Sequence, residues 1–201
     1  MSSRTRFLRI AGCCGLVGPA IATGMIFHSI AISPWFDWQR DALSHLGVSA
    51  NAIWFNAGVI AGGLLTAVLA VGVGRWMGRG WLARVGSAAV LVGAVGLTLV
   101  GVFPEHYGRL HAVVALTHFF VTPLGYIILG TGMLRKGLHV HGALTISAGV
   151  AALLVITRTP HAGYAVPEIL EALILSGWTF SMGMDLLVGG GLPRAVEGGE
   201  L

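Results

Sequence analysis

The sequence predicts an all-α membrane protein: one bundle of six transmembrane helices with short loops and both termini cytoplasmic. Three observations carry that expectation. Six apolar runs, at about 10–32, 52–74, 83–103, 110–134, 140–157 and 167–189, are each about long enough to cross a bilayer core as a helix, the fifth only just. Hydrophobic residues make up 55% of the chain and charged residues 10%, with a mean hydropathy of +0.83, whereas a soluble domain carries about 25% charged residues. Nine of the twelve Arg and Lys residues, finally, fall on one side of the topology that the runs impose. The positive-inside rule makes that side cytoplasmic.

Each element follows in order. Arg4, Arg6 and Arg9 precede the first run. Ile10-Ala11-Gly12-Cys13 resembles a lipoprotein cleavage box and Pro19-Ala20-Ile21-Ala22 a signal-peptidase site, but the run continues to Ile32, so an uncleaved helix is expected. Cys13 and Cys14 are adjacent and cannot cross-link the fold. The second run carries Gly58 and Gly62 beside Ala57 and Ala61, a small-residue face for close helix packing. Arg75, Arg79 and Arg84 lie between it and the third run, Arg135 and Lys136 follow the fourth, and Arg194 follows the sixth. Pro19 and Pro123 should kink helices one and four, while Pro167 suits the first turn of helix six. Residues 1–192 therefore form a single six-helix domain, and 193–201 a Gly-rich flexible tail. The pI near 9.7 reflects helix-orienting residues in short turns, not a nucleic-acid surface. The expected location is the cell membrane, in contact with lipid.

Polar chemistry collects in the other loops. In the first, Trp35, Phe36 and Trp38 form an aromatic anchor. Asp41, Ser44 and His45 follow at i, i+3 and i+4, one face of a short helix that Gly47 would end. The second offers Glu105, Arg109 and His111, with His118 seven residues on, about 10 Å deeper along the same face. A titratable ring at that depth must point into the bundle. The third gives Arg158, His161, Glu168 and Glu171. Glu168 can cap helix six, and Glu171 wants a cationic or histidine partner, His118 or Arg109. His28 and Asn56 can complete the ring, and Asp185, near the inner end of helix six, should pair with a basic neighbour.

Asp41-Ala-Leu-Ser44-His45-Leu46-Gly47, Ile53-Trp54-Phe55-Asn56-Ala-Gly58 and Gly101-Val-Phe103-Pro104-Glu105 followed by His111 resemble the small archaeal and bacterial membrane proteins grouped as domain of unknown function 998. That resemblance covers nearly the whole chain and implies its fold and topology. More distantly, the Ser-x-x-Gly loop, the His opening helix four and the Glu opening helix six are similar to the eukaryotic family of autophagy modulators and GPI-lipid remodelling proteins. There the pattern has an acid after the Ser, where this chain has His45. This second likeness implies lipid handling.

Three functions stay open at this stage. Arg40, Arg109 and Arg158 offer forked donors for a lipid headgroup or a small anion. His45, His111, His118 and His161 with Asp41, Glu105 or Glu171 supply ligands enough for zinc in an intramembrane lipid hydrolase, although no tight metal motif is present. The glycine faces would equally suit an accessory subunit packed against other membrane proteins. The cofactor, and whether the chain is an enzyme at all, are left undecided by the residues.

Overall fold

The computed structural model describes residues 2–158 and 163–188; His161, Arg194 and the tail at 193–201 lie outside the described residues. The helices are α1 (Ser3–Ala31), α2 (Ala52–Met77), α3 (Trp81–Val102), α4 (Arg109–Arg135), α5 (His139–Arg158) and α6 (Ala165–Val188), all six long and apolar enough to span a membrane. No strand occurs among the described residues. Successive helices pack on one another, α6 returns to pack on α1, and α2 also touches α6, so the chain closes a ring. One end of the ring carries the loops 32–51 and 103–108 and is here called the mouth; the opposite end is the basic end.

α1 starts well before the apolar run that hydropathy marks. The Ser2 side chain accepts a hydrogen bond from the Thr5 N–H at 3.2 Å, so α1 begins at Ser3 and carries Arg4, Arg6 and Arg9 on helix beyond its apolar run. At the same end Lys136 Nζ donates to the Met77 and Arg79 carbonyls at 2.7 and 2.8 Å, satisfying groups freed where α2 stops. Arg4 donates to the Arg75 carbonyl, and the Arg75 guanidinium lies 4.0 Å from the centre of the Phe7 ring. These basic residues work locally as helix-end fasteners.

Lipid tails are as apolar as the side chains, so contact between helices comes from close backbone approach, dispersion and buried hydrogen bonds. A Cβ on Gly12 would stand 2.8 Å from the Gly183 carbonyl of α6, and one on Gly86 2.6 Å from the Leu129 nitrogen of α4. Nearer the basic end, Tyr126 of α4 and Trp178 of α6 bring their rings to 3.9 Å. Trp178 Nε1–H donates to Thr145 Oγ1 of α5 at 2.9 Å, and Tyr126 donates to the Leu175 carbonyl at 3.3 Å. That network joins three helices inside the ring.

The two prolines behave differently. α1 runs unbroken through Pro19. In α4 the residues just before Pro123, Thr117–Val121, form a π turn. Proline has no N–H for the carbonyl four residues back, and a π turn absorbs the mismatch by inserting one residue into the helix.

Candidate functional site

A plug closes the mouth. After α1 the chain turns through Trp35, Phe36 and Trp38, whose rings pack edge to face. It then folds as a 3-10 turn, Leu43–Val48, with Leu43 and Leu46 buried. Both leucines join Ile26, Phe55, Val59, Val100 and Ile169 in an apolar cluster under the mouth. The expected short α-helix ending at Gly47 is thus corrected to a 3-10 turn that runs through Gly47. That glycine is buried, and a Cβ there would lie 2.6 Å from Asn56 Oδ1. Asn56 Nδ2 donates to the Gly47 carbonyl at 2.9 Å, fastening the plug to α2.

Polar latches hold the other edges. The Leu43 N–H donates to Glu168 Oε2 at 2.7 Å, and the Ala165 N–H donates to the Asp41 carbonyl at 2.9 Å. Glu168 therefore caps the plug and not its own helix, which already begins at Ala165. Asp41 Oδ2 accepts from the Asp37 N–H at 2.8 Å, while Oδ1 lies 2.9 Å from His45 Nδ1. A carboxylate only accepts, so this contact needs the proton on Nδ1, whereas the Ala42 N–H, 3.3 Å from the same nitrogen, needs its lone pair; the shorter Asp41 contact favours the protonated Nδ1. His45 Nε2 then faces Glu105 Oε1 at 3.6 Å. Asp41, His45 and Glu105, chosen from sequence, do converge.

Acidification is expected to loosen this plug. The Asp37 N–H bond, above all, holds the Asp41 carboxyl below the usual carboxylate range; partial burial opposes it and the His45 hydrogen bond adds to it. A depressed carboxylate contributes stability that is complete above the ordinary Asp value, about 4, and is lost as pH falls through the lowered one. The Asp41 contribution to hydrogen exchange at residues 41–48, read as the difference between parent and Asp41→Asn and corrected for intrinsic rates, should vanish as pH falls below about 4. At neutral pH Asp41→Asn should exchange faster there. Equal exchange in variant and parent at that pH would mean the carboxylate does not hold the turn.

Beneath the plug lie two adjoining cavities of about 60 Å³ each. The upper is lined by Ser44, His111, His118 and Glu168 among apolar neighbours. The lower runs from His118 past Thr122 and Tyr126 to Ser176 and Thr179, with walls from α1, α2, α3, α4 and α6. The two meet at His118 and share Ile26, Val59, Leu97 and Ala172. Both buried histidines are fixed alike. His111 Nδ1–H donates to the Phe103 carbonyl at 2.8 Å and His118 Nδ1–H to the Gly93 carbonyl at 3.0 Å. With Nδ1 donating, the neutral form of each ring would keep Nε2 as a lone-pair acceptor.

Other expectations are corrected. Glu171 is fully buried, but neither of its oxygens has a hydrogen-bond partner among the described residues, so the expected pairing with His118 or Arg109 is not made. His118 takes a backbone carbonyl instead, and Arg109 is exposed. Arg40 and Arg158 are exposed too; the contact of Arg40 is a loose one, 3.9 Å to Asp37. The three arginines therefore do not join the cluster. His28 turns outward against Trp54, ring centres 4.7 Å apart. Among the described residues no group of three His, Cys, Asp or Glu side chains is placed to hold a metal ion, so the zinc site drawn from four segments is not assembled there. Sequence reasoning overlooked Thr122 and Tyr126, although continuing the spacing of His111 and His118 by i+4 steps reaches both.

Six apolar helices around a plugged polar mouth define a multi-pass membrane protein. Residues 16–185 match the family model described as "Protein of unknown function (DUF998)", and the chain belongs to that family. No curated protein matches it, and no solved structure does. The likeness to autophagy modulators and GPI-lipid remodelling proteins rests on the loop and helix-start residues alone.

Proposed function

We propose that the chain binds a membrane amphiphile at the mouth, on the extracytoplasmic side, through a headgroup that donates hydrogen bonds. The observation that carries this reading is the pair of cavities meeting at His118, entered past Ser44, Glu168 and His111. Ligand sites are mostly apolar clefts with a few convergent polar groups. The polar groups this reading uses as acceptors are the carboxyl of Glu168 and, in the neutral rings, the Nε2 atoms of His111 and His118. The anion version of this function depended on arginines, and all three face outward.

Each cavity holds only a few water-sized groups, since about 10–15 Å³ of such space suits one water. A hydroxyl or amine with its first carbons fits; a whole lipid does not. Entry requires the 3-10 turn to swing away, which breaks its hydrogen bonds to Glu168 and Asn56 as well as the exposed His45–Glu105 contact. Native mass spectrometry on gently extracted protein tests the reading. The parent should carry a lipid species enriched over the bulk membrane, and Ala172→Leu, which fills the wall common to both cavities, should lose it. His111→Ala should weaken its retention about tenfold, as for loss of a hydrogen bond to a desolvated acceptor. Bulk lipid composition on the parent, or full retention by both variants, would overturn the proposal.

A further inference from the structure

A groove lies at the other end of the molecule. Near the basic end α5 and α6 diverge and leave a lipid-facing groove of about 420 Å³, within the usual range for ligand clefts. Its walls include Val140, Leu144, Ala148, Gly177 and Ser181, and Trp178 and Met182 form its floor. At its polar end His141 Nε2 lies 3.2 Å from Asp185 Oδ2, an oxygen that is buried and has no hydrogen-bond partner among the described residues. The pair is charge-matched only when the ring is protonated, and the Asp185 side chain stays 31% exposed.

Two features ask for an occupant. Asp185 is the only acid at the basic end among the described residues, yet it pairs with none of Arg75, Arg79, Arg84, Arg135 or Lys136 and opens onto the groove. Gly177 is the other. Most helical glycines here are small because a neighbouring backbone or side chain would collide with a Cβ; at Gly177, as at Gly24, no such described neighbour lies within 4 Å, and Gly177 lines the groove. Glycine within a helix costs roughly 0.5–1 kcal/mol against alanine, and packing inside the protein does not require it there.

We infer that the groove binds a phospholipid bearing a primary amine, with the ammonium on Asp185 and an acyl chain along Leu144, Ala148 and Gly177. Charge complementarity selects that occupant. The carboxylate repels an anionic headgroup and attracts an ammonium, whose N–H groups give charge-assisted hydrogen bonds. Val140 and His141 belong to the first turn of α5, whose free amides favour the phosphate of the same zwitterion. Phosphatidylcholine has the same charge but no N–H donor, so it separates hydrogen bonding from attraction alone. The site is independent of the mouth.

The test titrates the purified full-length chain with phosphatidylethanolamine, phosphatidylcholine and phosphatidylglycerol of identical acyl chains, read by native mass spectrometry. Phosphatidylethanolamine should be held about tenfold more tightly than phosphatidylcholine, and phosphatidylglycerol least. Asp185→Asn should erase the preference for the amine. Gly177→Leu should weaken all three lipids, because its side chain enters the groove without meeting protein. Thermal unfolding near the parent's would show that both variants fold. Equal binding of the three lipids, tighter phosphatidylglycerol, or a preference that survives Asp185→Asn would overturn the inference. So would dimerisation through this face, detected by cross-linking a cysteine at position 177. Ala172→Leu, which fills the mouth cavities, should leave this preference intact, so the two sites fail separately.

Discussion

Gly86→Val should leave no recoverable folded bundle, and Gly86→Ala should cost at least about 1–3 kcal/mol. The reason is geometric. A Cβ at this position would lie 2.6 Å from the Leu129 nitrogen and 2.7 Å from its Cα. Those are backbone atoms of a facing helix, so no rotamer change relieves the overlap. α3 must move away from α4, and dispersion falls steeply with even a small gap. The same shift would disturb the His118–Gly93 hydrogen bond, which crosses the same interface. Gly24→Ala is the control: nothing lies within 4 Å of that site, and helix propensity favours alanine. Fluorescence-detected size exclusion and thermal unfolding in detergent read both variants. A monodisperse Gly86→Val protein with the parent's melting temperature would mean that the α3–α4 interface is far more plastic than described.

Glu171→Met should stabilise the protein by roughly 1–3 kcal/mol, or roughly 3–10 °C in melting temperature. The side chain has no solvent exposure, and neither oxygen has a hydrogen-bond partner among the described residues. A buried carboxyl in that state is costly in either protonation form, and methionine is a similarly long, adaptable apolar replacement. Gains of this kind at an intramembrane acid typically come with lost function. Enrichment of the mouth-bound lipid should therefore fall in the same variant. If Glu171→Met instead melts well below the parent, Glu171 is an architectural group, and its place beside the mouth carries no functional weight.

What the sequence made readable follows from what each signal measures. The bilayer core sets a length, so hydropathy found all six spans. It marks the apolar core and not the helix end, so it missed the extra turns of α1 that begin at Ser3. Depth alone told that His118 points inward. Its partner was hidden because a backbone carbonyl, here Gly93, has no signature in the sequence. Charge placed Arg40, Arg109 and Arg158 in the right loops but carries no direction, and arginine's long stem lets its head reach water. Glu168 was recognised as a cap, and the wrong helix end was assigned to it because α6 starts two residues before Pro167.

The π turn at Thr117–Val121 has a consequence for how the protein can vary. One surplus residue makes α4 two segments with separate rotational settings. The segment toward the mouth presents His111, Val114 and His118 inward as a single narrow stripe. The segment toward the basic end sets Gly125 and Leu129 against α3 and turns Tyr126 toward Trp178 and Leu175 of α6. A change of chemistry in the first need not propagate into the second. Specificity at the mouth is thereby free to drift among related chains while the scaffold beneath it stays constant.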